Sequence, residues 1–131
     1  MQSVTEQDHR ADILAMDSDA DTRDLLRLHL SGAGYSVRLA DDAVCAGHKV
    51  LERVPDLLLA DVSLPYMSGL DFVAALRADE TLPRFPIILL ATTAENPEQL
   101  KWARGFPVLT KPMVADKLLA CVAHELQFRN L

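Results

Sequence analysis

Basic charge is scarce in this chain: 13 Lys and Arg stand against 19 Asp and Glu, a formal net charge of −6. Such a balance argues against an electrostatic grip on nucleic acid by this domain alone and suits a cation or a basic protein patch. Cysteine is scarce too. Cys45 and Cys121 fall in separate predicted helices without metal-ligand spacing and read as small buried residues. His9, His29, His48 and His124 form no close pair. Half the residues are apolar, yet no run approaches the roughly 18 consecutive apolar positions of a membrane span. Met1 to Arg10 is polar and lacks the apolar core of a signal peptide. These absences lead to the expectation of a cytoplasmic protein with no membrane contact, made of a loose arm over 1–10 and one domain over 11–131. No internal repeat, low-complexity run or linker divides it.

What the chain does have is alternation. Short apolar runs suited to strands recur at Ile13–Met16, Tyr35–Leu39, Leu57–Ala60, Ile87–Leu90 and Pro107–Leu109, with helical patterns between them. Leu25, Leu26, Leu28 and Leu30 recur at helical spacing, and Gly32 or Gly34 can end that helix. A second helix over about Ala43 to Arg53 is weakened by Gly47. Ser68-x-x-Asp71 resembles a capping arrangement for a third, and Asn96-Pro97-Glu98-Gln99 for a fourth. Val114, Leu118, Val122, Leu119 and Leu126 stripe a fifth. Five strands alternating with helices imply an α/β fold with a parallel sheet, and right-handed crossovers leave few orders open. The flavodoxin-like order 2-1-3-4-5, a (βα)5 three-layer sandwich, sets the ends of strands 1 and 3 side by side at the switch point.

Those two ends carry Asp17 and Asp61. Paired carboxylates at adjacent strand ends make a pocket of negative charge, most simply resolved by a hard divalent cation with oxygen ligands, Mg²⁺. Lys111 enters from strand 5. A carboxylate nucleophile, a metal and an ammonium are the equipment of phosphoryl transfer. Each residue also has a plainer reading: Asp17 as a helix cap, Asp61 as a turn residue, Lys111 as a solvated cation, Gly69 as a relaxed turn.

Taken in order, these segments resemble the receiver domain of two-component response regulators, over roughly residues 11 to 128. Ile13-Leu14-Ala15-Met16-Asp17 is similar to the first strand with its acidic terminus, Asp61 with Pro65 and Gly69 to the phosphoacceptor segment, and Thr110-Lys111-Pro112 to the lysine-proline signature. The resemblance implies that Asp61 accepts a phosphoryl group from a sensor histidine kinase or phosphotransfer protein. It implies that Asp17, Asp61 and the Ser63 backbone carbonyl hold Mg²⁺, that Lys111 contacts the phosphoryl group, and that a cis bond precedes Pro112. The expected product is a phosphorylated switch in a phosphorelay, signalling through contacts with a downstream protein. No output domain, direct nucleic-acid contact or turnover of an external substrate is expected.

Three positions depart from the family pattern. Ser18 stands where a second acid is usual, and Asp19, one residue on, points elsewhere on the turn. Ala91 stands where strand 4 usually ends in a hydroxyl, so Thr92 is the favoured substitute, with Thr93 beyond it. Val108 stands in the place of a mobile aromatic, which leaves Trp102 as the nearest large side chain to carry a signal. These departures motivate one alternative, a degenerate receiver acting as a phosphorylation-independent interaction module. Asp17-Ser18-Asp19 also resembles the nucleophile loop of haloacid-dehalogenase-type phosphatases, although Asp21 departs from that pattern. A calcium loop over Asp17-x-Asp19-x-Asp21 fails at Thr22 and Leu28.

Overall fold

Strands bury both faces where the apolar runs are continuous. In a computed structural model of the chain, described over residues 10–64, 67–92 and 105–127, β1 (Asp12–Met16) and β3 (Leu57–Asp61) are buried along their whole length, and β4 (Ile87–Thr92) at all but its last residue. Their neighbours β2 (Ser36–Ala40) and β5 (Val108–Lys111) are partly exposed, as edge strands are. The five pair in parallel in the order β2-β1-β3-β4-β5. The flavodoxin-like arrangement read from the alternation is the one observed.

Two apolar clusters, one on each face, complete the layers. Leu14, Met16, Leu58, Ala60, Leu89 and Ala91 face helices α2 (Ala43–Glu52) and α3 (Gly69–Ala78) through Val50, Phe72 and Val73. Ile13, Ala15, Leu57, Leu59, Ile88 and Leu90 face α1 (Ala20–Gly32) and α4 (Ala115–Gln127) through Leu26, Leu30, Leu118 and Val122. The alternation of neighbouring residues between clusters is the period-2 geometry of a strand. Truncating one of the fully buried leucines to alanine costs about 2–5 kcal/mol in such a core.

Helix starts follow local chemistry. Asp19, Asp42 and Ser68 cap α1, α2 and α3, each side chain accepting from the N–H three residues on. α1 ends at Gly32, and Gly34 takes the positive φ of 96° that reverses the chain. Gly47 lies inside α2 with its open side toward Phe72, where a Cβ would meet the ring at 3.8 Å, an ordinary contact.

Strand limits differ from the apolar runs in one informative way. β2, β3, β4 and β5 all extend further toward the C-terminal edge, so Asp61, Thr92 and Lys111 belong to strands instead of following them. The parallel ladder continues there, with Asp61 opposite Leu90 and Thr92 opposite Lys111. Pro107, which has no N–H, stays outside β5 although its carbonyl accepts from Leu89. The arm over residues 1–9, the fourth predicted helix, Pro65, Thr93 and Trp102 lie outside the described residues.

Candidate functional site

Three strand ends converge at the C-terminal edge of the sheet. The backbone N–H of Asp17 continues the β1–β2 ladder onto the Ala40 carbonyl, and that of Val62 continues β3–β4 onto Leu90, at 3.1 and 3.0 Å. The side chains of Asp17 and Asp61 are thereby held where the sheet stops, 0 % and 3 % exposed. Lys111, at the end of β5, reaches across β4. Its Nζ lies 2.6 Å from Asp17 Oδ2 and 3.2 Å from Asp61 Oδ2.

The remaining oxygens are used locally. Asp17 Oδ1 accepts the N–H of Asp19 at 2.9 Å, and Asp61 Oδ1 that of Ser63 at 3.0 Å. Arg23 donates to the Asp17 carbonyl at 2.7 Å, which ties the loop after β1 to α1. Asp17 Oδ2 is buried and meets the Lys111 ammonium at 2.6 Å, and one such contact does not use up the lone pairs of a carboxylate oxygen.

Two carboxylates around one ammonium leave the pocket negative. Burial pushes the Asp61 carboxyl above its ordinary 3.8; the Asp17 carboxylate adds to this, and together they outweigh the Ser63 N–H and the Lys111 ammonium. For Lys111, burial pulls the ammonium down, but its contacts with Asp17 and then Asp61 prevail and its pKa is raised. A protonated lysine between two acids, one of them more basic than usual, suits a carboxylate nucleophile acting beside a fixed positive charge.

The donor set fits a hard cation. Asp17 Oδ2 is a buried oxygen with unused lone pairs beside the Asp61 carboxylate, and Mg²⁺ needs only one or two carboxylates when it keeps several waters. The acid count stops at two, since among the described residues no three His, Cys, Asp or Glu side chains gather as a metal site. Ser18 is exposed and uncharged. Asp19 is engaged elsewhere: its Oδ2 accepts the Thr22 hydroxyl at 2.7 Å and the Thr22 N–H at 3.1 Å. Those contacts, the hydroxyl first, hold its carboxyl below the usual range. Asp19 is thus the cap of α1, and the phosphatase reading of Asp17 and Asp19 as nucleophile and acid loses its second member. Asp17 is not that cap.

At the end of β4, Ala91 is buried in the cluster of Leu89 and Val62, and Thr92 is exposed. Strand alternation gives Thr92 the face of Leu90, which Asp61 shares as the partner of Leu90. A slip of one residue decides which face receives the hydroxyl. Val108 is 40 % exposed on β5, and the bond between Lys111 and Pro112 is cis.

Two features of the site go beyond what the sequence motifs say. Gly69 is not a relaxed turn. A Cβ there would sit 1.9 Å from the Asp61 carbonyl oxygen and 2.9 Å from Val62 Cα, so α3 starts directly on the backbone of β3. Its N–H donates to the Val62 carbonyl at 3.0 Å. Arg23 is the other, its role as a tie to the Asp17 carbonyl hidden among ordinary helix charges.

Comparison with known proteins agrees with this fold. The family model described as the response regulator receiver domain matches residues 13–123. An uncharacterized 14.6 kDa protein from Leptolyngbya boryana is 38% identical over 115 residues, 85% of this chain and 86% of that one. Response regulator MprA of Mycobacterium leprae is 38% identical over 110 residues, 82% of this chain but 47% of its own length, so the chain spans about half of that regulator. The solved structure of Vibrio cholerae chemotaxis protein CheY4 superposes with a TM-score of 0.80 at 31% identity, covering 88% of this chain and 98% of that one. Among the described residues no helix is long and apolar enough to cross a membrane.

Proposed function

Because the chain belongs to the response regulator receiver domains of two-component phosphorelays, we propose that Asp61 is its phosphoacceptor. The carrying observation is the placement of Asp61 beside Asp17 with the Lys111 ammonium between them, 3.2 Å from Asp61 Oδ2 and 2.6 Å from Asp17 Oδ2. An Asp61 carboxylate oxygen attacks the phosphorus of a phosphohistidine on a sensor kinase or phosphotransfer protein. The O–P bond forms as the N–P bond breaks, and the histidine leaves with the electron pair. Lys111 places its positive charge against the phosphoryl oxygens, and the Thr92 hydroxyl faces them from β4.

Asp17, Asp61 and the Ser63 carbonyl would hold Mg²⁺, which when bound supplies positive charge to the transferring oxygens. Receiver domains are switches, and this one passes its signal to a downstream protein through its surface, in the cytoplasm, with no turnover of an external substrate. Ser18 and Ala91 favour a second reading, a receiver that keeps the fold and works unphosphorylated.

Acetyl phosphate separates the two. In the presence of Mg²⁺ the chain should gain one phosphoryl mass, and Asp61→Asn should gain none. Unchanged incorporation in the variant removes Asp61 from the role, and no incorporation in the parent chain leaves the interaction module standing.

A further inference from the structure

At the N-terminal edge of β4 and β5, the opposite end of the sheet from Asp61, lies a cavity of about 360 Å³. Arg77 near the end of α3 and Arg84 before β4 line it, with Phe106 before β5 and Glu125 of α4. Two guanidiniums thus meet at one hollow in a chain of net charge −6.

The Arg77 guanidinium lies 5.5 Å from the centre of the Phe106 ring and 6.0 Å from that of Phe85. Contact with aromatic rings steadies such a group but does not satisfy its N–H donors. Its Nε is buried without a hydrogen-bond partner. Among the described residues neither Arg77 nor Arg84 forms an ion pair, Glu125 included. Burial pulls the Arg77 guanidinium below its ordinary value, and the Arg84 charge adds to it. Packing of the arginine stem explains the ring contacts. It explains neither the unpaired buried donor nor two like charges at one opening.

We propose that this cavity binds an oxyanion, a carboxylate or a phosphate, held by Arg77 and Arg84. The planar fork of a guanidinium matches both groups, and Pro86, Phe106 and Pro107 line the cavity beside it. Glu125 on the same cavity opposes an anion, and a singly charged group meets the least of that repulsion. The anion is supplied free in solution or by an acidic side chain of a bound protein.

The test is an amide NMR titration of the full chain in low-salt, magnesium-free buffer, with inorganic phosphate, with acetate, and with a short glutamate-containing peptide. Saturable shifts at Ile87, Gly105, Phe106 and the Arg77 Nε–H are expected. Affinity should fall about tenfold in Arg84→Gln, an exposed position that leaves the core untouched, and also in Arg77→Lys, which keeps the charge but loses the fork. Response to the small anions assigns a free ligand, and response to the peptide alone assigns a protein acid. The absence of saturable shifts with all three probes, or equal affinity in Arg84→Gln, overturns the proposal.

Discussion

Buried charge is handled in opposite ways at the two ends of the sheet. At the N-terminal edge Asp12 is 2 % exposed, and Arg38 covers its carboxylate with Nε, 3.1 Å from both oxygens, and with Nη2, while Nη1 and Nη2 also donate to the carbonyls of Lys49 and Arg53. The Asp12 N–H is taken by Asp56 Oδ2 at 2.7 Å. One acid meets one base, and the network ties β1 and β2 to the end of α2. At the C-terminal edge two buried acids share one ammonium, and Asp17 Oδ2 keeps lone pairs in reserve. Charge that serves the fold is closed on itself; charge that serves chemistry is left open to an incoming group.

If that contrast holds, opposite responses to substitution follow. Asp12→Ala takes the carboxylate from a partly buried guanidinium and should destabilise the domain by about 3 kcal/mol in urea titration; a loss under about 1 kcal/mol would make the two ends alike. Ser18→Asp adds the third acid to the open end. It should tighten Mg²⁺ binding about tenfold by titration calorimetry, and an unchanged affinity would mean that water already completes the site.

Asp61→Asn has the smallest expected effect and the opposite sign to Asp12→Ala. It relieves crowding and should stabilise the domain at neutral pH by about 1 kcal/mol, a rise of roughly 3–5 °C in Tm. The gain depends on pH. A carboxyl whose folded pKa is raised contributes stability below its ordinary 3.8, and that contribution is lost as pH climbs through the folded value. The advantage of Asn should therefore be absent below 3.8 and develop above it in parallel melts of the two proteins. A constant difference across that range would assign the effect to something other than ionisation.

Much of this was legible in the sequence, for a physical reason. Central parallel strands are buried on both faces, so Leu57–Ala60 and Ile87–Leu90 appear as unbroken apolar runs, and a carboxylate at the end of such a run stands out. Asp17, Asp61 and Lys111 were legible because each closes or follows a strand. Arg38 with Asp12 was not, because the partners are 26 residues apart and a charge at a strand start reads as a boundary. Arg77 looks like an ordinary basic residue in the last turn of a helix, and only the fold brings Phe85, Phe106 and Arg84 around it. Thr92 stays a matter of register, since counting along an apolar run cannot fix a shift of one residue.

The contact at Gly69 bears on how movement travels. Most elements of this domain meet through side chains, which can change rotamer and absorb a displacement. At Gly69, where α3 begins, there is no such cushion: its Cα lies against the Asp61 peptide, and its N–H is fastened to Val62. A tilt of the Asp61 peptide plane would therefore press directly on the first turn of a ten-residue rod whose far end carries Arg77.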